Sequence, residues 1–142
     1  MSEPNPPRRV LPSIGAVLAG FIATFVLSVG TDAALHAAGV FPALGRPMAD
    51  SLFVLAMAYR AVYTVAGGWV TARLAPDRPM RHALALGAIG LVAATVGMVA
   101  TWGRSELGPR WYPIAIVVMA LPCVWAGARI RERQLGAPNG GA

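Results

Sequence analysis

The sequence contains no lysine, and acidic and basic side chains together make up only 13% of its 142 residues. Soluble domains carry about 25% charged residues, so this chain has too few charged side chains to cover a surface that faces water. All 12 basic residues are arginines, and the net charge is +6. Because these arginines flank apolar segments and form no single basic stripe, they argue against a nucleic-acid partner and for a membrane-flanking role.

The chain is also poor in residues that bind metals or carry out catalysis. A single cysteine, Cys123, excludes an internal disulfide and a CxxC site. The two histidines, His36 and His82, are predicted near opposite membrane surfaces, about 30 Å apart, so they cannot bind one haem iron or one metal ion together; ligation by one histidine alone stays open. No nucleophile–base pair is apparent. We therefore predict no cofactor, no metal and no enzymatic activity.

Four long apolar runs predict an all-α fold, an integral membrane bundle of four transmembrane helices that forms one domain over residues 11–133. The predicted spans cover about residues 11–30, 51–74, 83–102 and 111–130, near the length of about 20 residues that crosses a hydrocarbon core. The first span has room to continue toward Ala38. The proline-rich residues 1–10 and the glycine-rich residues 134–142 are typical of disordered tails.

The arginines are distributed unequally between the two ends of these spans. Eight lie on one side, namely Arg8, Arg9, Arg73, Arg78, Arg81, Arg129, Arg131 and Arg133, and three lie on the other, namely Arg46, Arg104 and Arg110. The positive-inside rule then predicts a multi-pass protein of a bacterial inner (plasma) membrane with both terminal tails in the cytoplasm. A cleaved signal peptide is the alternative for the first run, but that run is longer than a signal core and has no Ala-x-Ala site.

The remaining arginine, Arg60, lies about nine residues into the second span, roughly 14 Å below its start. An arginine at such depth costs about 2.5–3.5 kcal/mol, so an opposite charge is expected beside it. Asp32 is the favoured partner, since side chains lean toward the N-terminus of their helix and the first two spans are antiparallel. Asp50 is the competing partner.

The candidate intramembrane polar site consists of Asp32, His36, Arg60 and Tyr63, and either Tyr59 or Tyr63 is expected to complete the network with His36. One interpretation is a structural lock that fixes the register of the first two spans. The other is an outward-facing pocket that binds an anion or relays protons. The sequence leaves both open.

Small residues predict where the helices approach each other closely, because membrane helices pack through glycine and alanine. The third span has a heptad row formed by Ala83, Gly87, Gly90, Ala94, Gly97 and Thr101. The second span has a similar row that contains Gly67. We predict Gly67, Gly87, Gly90 and Gly97 to be helix-packing residues, either within one bundle or between two copies of a dimer.

Three short segments are similar to small uncharacterised four-span bacterial membrane proteins: GGWVTARLAP at 67–76, PMRHA at 79–83 and TDAALH at 31–36. This resemblance implies the four-span fold and no particular activity. The favoured function is a non-enzymatic accessory or partner-binding subunit that contacts the lipid bilayer and a larger membrane complex. The alternative is a small transporter or channel, acting as a homodimer, whose path is lined by Arg60 and Asp32.

Overall fold

The computed structural model describes residues 9–137, and this part of the chain contains four long α-helices and no β-strand. Helix α1 spans Val10–Ala37, α2 spans Asp50–Leu74, α3 spans Pro79–Thr101 and α4 spans Trp111–Gly136. A short 3₁₀ turn, Ser105–Leu107, precedes α4. The predicted all-α class and its four helices are confirmed.

Two helix boundaries differ from those predicted, whereas α1 continues to Ala37, within the extension toward Ala38 that the sequence allows. Helix α3 begins at Pro79, a residue type suited to the first helical turn. Helix α4 continues to Gly136, so residues 134–136 belong to it and not to a disordered tail. Its last turns are rich in good helix formers and contain an Arg129–Glu132 pair at 3.2 Å. Residues 1–8 and 138–142 of the predicted tails lie outside the described residues.

All four helices are long and apolar enough to cross a membrane. Their most apolar 18-residue windows have mean hydropathies of 2.2, 1.3, 2.2 and 1.8. Large apolar side chains point away from the bundle; Leu18, Ile22 and Phe25 on one face of α1 are 51%, 56% and 58% exposed. Exposing so much apolar surface to water is unfavourable. The chain is therefore a multi-pass membrane protein whose exposed apolar surface faces lipid.

Helix α2 is the central helix of the bundle. It packs extensively against α1 and α4 and to a lesser extent against α3, whereas α1 and α4 barely touch each other. Helix α3 packs mainly on α4. The first residues of α1 and α3 and the last residues of α2 and α4 lie together at what we call the arginine-rich end, and the other end is the arginine-poor end.

The buried core lies toward the arginine-rich end and is built from small side chains: Ala72, Ala83, Leu86, Val124 and Ala128. The helix backbones approach each other so closely there that large side chains would not fit between them. A Cβ added to Gly68 would lie 2.9 Å from the Val124 Cα, and one added to Gly127 would lie 2.7 Å from the Trp69 nitrogen. Helices α2 and α4 are therefore in backbone contact, as the absence of a hydrophobic driving force in lipid requires.

Candidate functional site

An ion pair between α1 and α2 forms the centre of the candidate site. Arg60 donates a hydrogen bond from Nη2 to Oδ2 of Asp32, and the Tyr59 hydroxyl donates to Oδ1 of the same carboxylate. The Arg60 and Asp32 side chains are 33% and 29% exposed. Both oxygens of Asp32 thus have a donor from α2, and the expected Asp32–Arg60 pair is present.

The backbone directions of the two helices explain how these residues meet. Arg60 follows the start of α2 by ten residues, and Asp32 precedes the end of α1 by five, so Asp32 lies nearer the arginine-poor end by several ångströms at 1.5 Å per residue. Each side chain leans toward the start of its own helix. In antiparallel helices these directions converge, and the long arginine side chain closes the remaining gap.

Tyr63 belongs to the same interface but makes a separate hydrogen bond. Its hydroxyl lies 2.8 Å from Oγ1 of Thr31, and its ring lies 5.8 Å from that of Tyr59. The adjacent α1 residues Thr31 and Asp32 are therefore engaged by tyrosines one helical turn apart on α2. The regular spacing of Tyr59 and Tyr63, together with the Thr31–Asp32 dipeptide, is the sequence signal that would have identified this pairing.

His36 does not join the Asp32 network, which corrects the expectation for this residue. Its Nδ1 lies 2.9 Å from the Pro42 carbonyl oxygen, and its ring meets Phe41 edge-on at 5.4 Å. His36 thus holds the loop that follows α1. Asp50, the competing partner, begins α2, and Arg60 is paired with Asp32 instead.

A cleft of about 850 Å³ opens at the arginine-poor end. It is lined by residues 42–48 and 101–110 and by the adjoining helix ends, with His36 and Asp50 at its wall. Its charged residues are Arg46, Asp50, Arg104, Glu106 and Arg110. Asp32 and Arg60 do not line this cleft, whereas Tyr112 does.

The loop that closes one side of the cleft is seated directly on α2. Gly108 has a φ of 125° and approaches the Phe53 ring so closely that an added Cβ would overlap its edge. Phe53 in turn lies 5.1 Å from the Tyr112 ring. The positive φ and the missing side chain together make glycine the residue required at this position.

The predicted packing glycines divide into two groups. A Cβ on Gly67 would lie 2.9 Å from the Gly20 carbonyl oxygen, and one on Gly87 would lie 2.8 Å from the Leu121 side chain. A Cβ on Gly90 or Gly97 would meet no neighbouring atom within 4 Å. Within residues 9–137 the heptad row of α3 packs closely toward the arginine-rich end, whereas its Ala94, Gly97 and Thr101 line the cleft at the other end.

His82 makes a contact that the sequence did not indicate. Its Nε2 lies 2.9 Å from Ser13 Oγ. Ser13 Oγ also lies 2.7 Å from the Arg9 carbonyl oxygen, and His82 Nδ1 lies 3.3 Å from the Arg78 carbonyl oxygen. These contacts tie α1 to α3.

Within residues 9–137 no group of three or more histidine, cysteine, aspartate or glutamate residues is placed to hold a metal ion. Comparison with protein-family models, with curated proteins and with solved structures finds no match to this chain.

Proposed function

We propose that this chain is a non-enzymatic accessory subunit of a bacterial inner membrane, which binds another membrane protein through the part of the α3 small-residue row that carries Gly90 and Gly97. The observation that carries the proposal is the unused part of the small-residue row. Gly90 and Gly97 leave open space beside the helix, and small residues let a second helix approach closely. The resemblance to four-span bacterial membrane proteins is consistent with this role but identifies no partner.

The polar site supports a structural part for Asp32 and Arg60 in this subunit. Asp32 accepts hydrogen bonds at both carboxylate oxygens from residues of α2, so its charge is already balanced by Arg60 within the chain. The pair fixes the position of α1 along α2. Changes to this ion pair would then affect partner binding only by disturbing the overall fold.

Affinity purification from native membranes tests the accessory role. We expect the tagged protein to retain a larger membrane protein, and Gly90→Leu with Gly97→Leu to lose it because the bulky side chains block close approach. Gly15→Leu with Gly30→Leu is the matched control, since these glycines of α1 also have no neighbour within 4 Å. Equal recovery of the partner with both double variants would refute the assignment of the α3 surface.

A small transporter or channel is the second candidate, and a specific observation favours it. The cleft of about 850 Å³ at the arginine-poor end carries three arginines, Arg46, Arg104 and Arg110, in its lining. Arg60 also has a buried Nε with no hydrogen-bond partner among the described residues. A homodimer whose thermal stability rises with one small anion, and whose response is abolished by Arg60→Gln, would support this candidate over the accessory subunit.

The orientation proposed here places the arginine-rich end in the cytoplasm. The support is the arginine distribution, because basic residues near membrane helices are retained on the cytoplasmic side. This assignment is independent of whether the protein is an accessory subunit or a transporter.

A further inference from the structure

The arginine-rich end carries far more positive than negative charge. Its arginines within the described chain are Arg9, Arg73, Arg78, Arg81, Arg129, Arg131 and Arg133, and its acidic residues are Asp77 and Glu132. All of these arginines except Arg131 are exposed. The only ion pair that the described residues form at this end joins Arg129 to Glu132. Residues 9–137 therefore supply too few carboxylates to neutralise this surface.

The arginine-poor end is nearly balanced by comparison. Arg46, Arg104 and Arg110 are accompanied by Asp50 and Glu106. The excess positive charge is thus a property of one end of the molecule and not of membrane-flanking loops in general.

Tryptophans hold two of these arginines near the depth of lipid headgroups. The Arg73 guanidinium lies 5.1 Å from the centre of the Trp69 ring, and that of Arg129 lies 5.5 Å from the centre of the Trp125 ring. Trp69 also donates from Nε1 to the Gln134 side chain at 2.9 Å. Tryptophan prefers the boundary between hydrocarbon and headgroups, so the guanidinium groups on these rings lie where phosphates are found.

Six of the arginines at this end have exposed side chains. A phosphate oxygen suits a guanidinium as an acceptor because the two groups form paired, charge-assisted hydrogen bonds. An anionic group at the level of the headgroups can therefore reach these donors from outside the protein.

We propose that the arginine-rich end selects anionic phospholipids, of the phosphatidylglycerol type, from the leaflet that it faces. The lipid headgroup is the anion already present at this depth around a membrane protein. Its phosphate complements the unpaired arginines in charge and in hydrogen-bonding geometry. Clusters of arginine beside membrane helices gain affinity for anionic lipid with each added charge, and this end has an excess that the other end lacks.

Native mass spectrometry of the full chain tests the proposal. The protein is purified in a neutral detergent and inserted into nanodiscs that contain equal amounts of phosphatidylcholine and phosphatidylglycerol. It is then released in the mass spectrometer, and the bound molecules of each lipid are counted. We expect phosphatidylglycerol to be enriched at least about fivefold, which corresponds to the attraction of a single arginine to an anionic surface.

Two triple variants with the same change in net charge locate the effect. Arg73→Gln, Arg81→Gln and Arg133→Gln together remove three exposed arginines that have no ion pair within the described residues, and we expect the enrichment to fall severalfold. Arg46→Gln, Arg104→Gln and Arg110→Gln at the other end should retain it. Equal enrichment in the two variants would overturn the proposal, because it would assign the effect to overall charge or to detergent.

A salt series on the unaltered protein keeps the proposal testable if the first variant does not fold. The screening length falls from about 10 Å at 0.1 M salt to about 3 Å at 1 M, so the enrichment should fall as salt is raised. An enrichment that is absent at low salt, or that does not change with salt, contradicts selection by the arginines.

Discussion

Asp32 determines how α1 and α2 fit together at the level of single residues. Its carboxylate accepts from Arg60 and from Tyr59, while its neighbour Thr31 meets Tyr63. Three side chains of α2 thus form hydrogen bonds with two adjacent residues of α1. A shift of α1 by one residue along α2 would separate all of these groups, so the polar contacts specify register as well as contributing energy.

Removing one member of the ion pair should destabilise the protein more than removing both. Asp32→Asn or Arg60→Gln leaves the other charge unpaired in an apolar setting, and we expect a loss of about 3 kcal/mol, the scale of an uncompensated charge inside a membrane. The double variant should lose less than the sum of the two. Equilibrium unfolding in bicelles measures the cycle, and additive losses would contradict a direct coupling.

The effect on stability of replacing a threonine of the bundle by valine should depend on whether its hydroxyl forms a hydrogen bond. Thr71 is fully buried and its Oγ1 has no hydrogen-bond partner within residues 9–137, so Thr71→Val should change stability by less than about 0.5 kcal/mol or increase it. Thr31→Val removes the contact with Tyr63 and should cost about 1 kcal/mol. Thermal unfolding monitored by circular dichroism compares the two variants directly, and equal losses would show that the Tyr63 contact contributes nothing.

At the scale of whole helices, α3 has the clearest contrast between its two halves. Toward the arginine-rich end its residues Ala83 and Gly87 are buried against α4, whereas Gly90 and Gly97 meet no neighbour. A heptad row in the sequence shows that a helix can approach another closely, but it does not show where along its length the approach occurs. The angle at which two helices diverge determines where they are in contact, and this angle depends on how their side chains pack.

Alanine substitutions should separate the two kinds of glycine. Gly67→Ala forces a Cβ against the Gly20 carbonyl oxygen, where backbone must move, and should destabilise the protein by about 1–3 kcal/mol. Gly90→Ala and Gly97→Ala should be neutral or slightly stabilising for the isolated chain because alanine favours helix. Melting temperatures in one detergent provide the comparison, and a large loss at Gly90 would indicate a packing contact that the chain alone does not make.

The helices and the central ion pair were predictable because each depends on local pattern. Runs of apolar residues identify the spans, and the opposite directions of α1 and α2 bring Asp32 and Arg60 together. The identity of the third partner was not predictable in the same way, since Tyr59 and His36 are both within reach of Asp32 until the loop after α1 is placed. The Ser13–His82 contact was missed because it depends on α1 lying beside α3, which no local pattern indicates.

The whole molecule has two chemically different ends, and cysteine labelling can assign them to the two sides of a membrane. In a Cys123→Ala background, Ala43→Cys and Asp77→Cys place a thiol in exposed positions at the arginine-poor and arginine-rich ends, respectively. Because arginine-rich loops stay in the cytoplasm, we expect a membrane-impermeant maleimide to label position 43 in intact cells after the outer membrane is made permeable. Position 77 should react only after lysis; the reverse pattern would invert the proposed orientation.

Asp32 precedes Arg60 by 28 residues along the chain, and this order has a consequence for biosynthesis. At about 5–20 residues per second, the ribosome completes the carboxylate a few seconds before the guanidinium that neutralises it exists. During that interval the first helix carries an uncompensated acid toward the lipid. The translocation machinery is therefore expected to hold the first helix at its lateral gate and to release the first two helices into the bilayer as a hairpin.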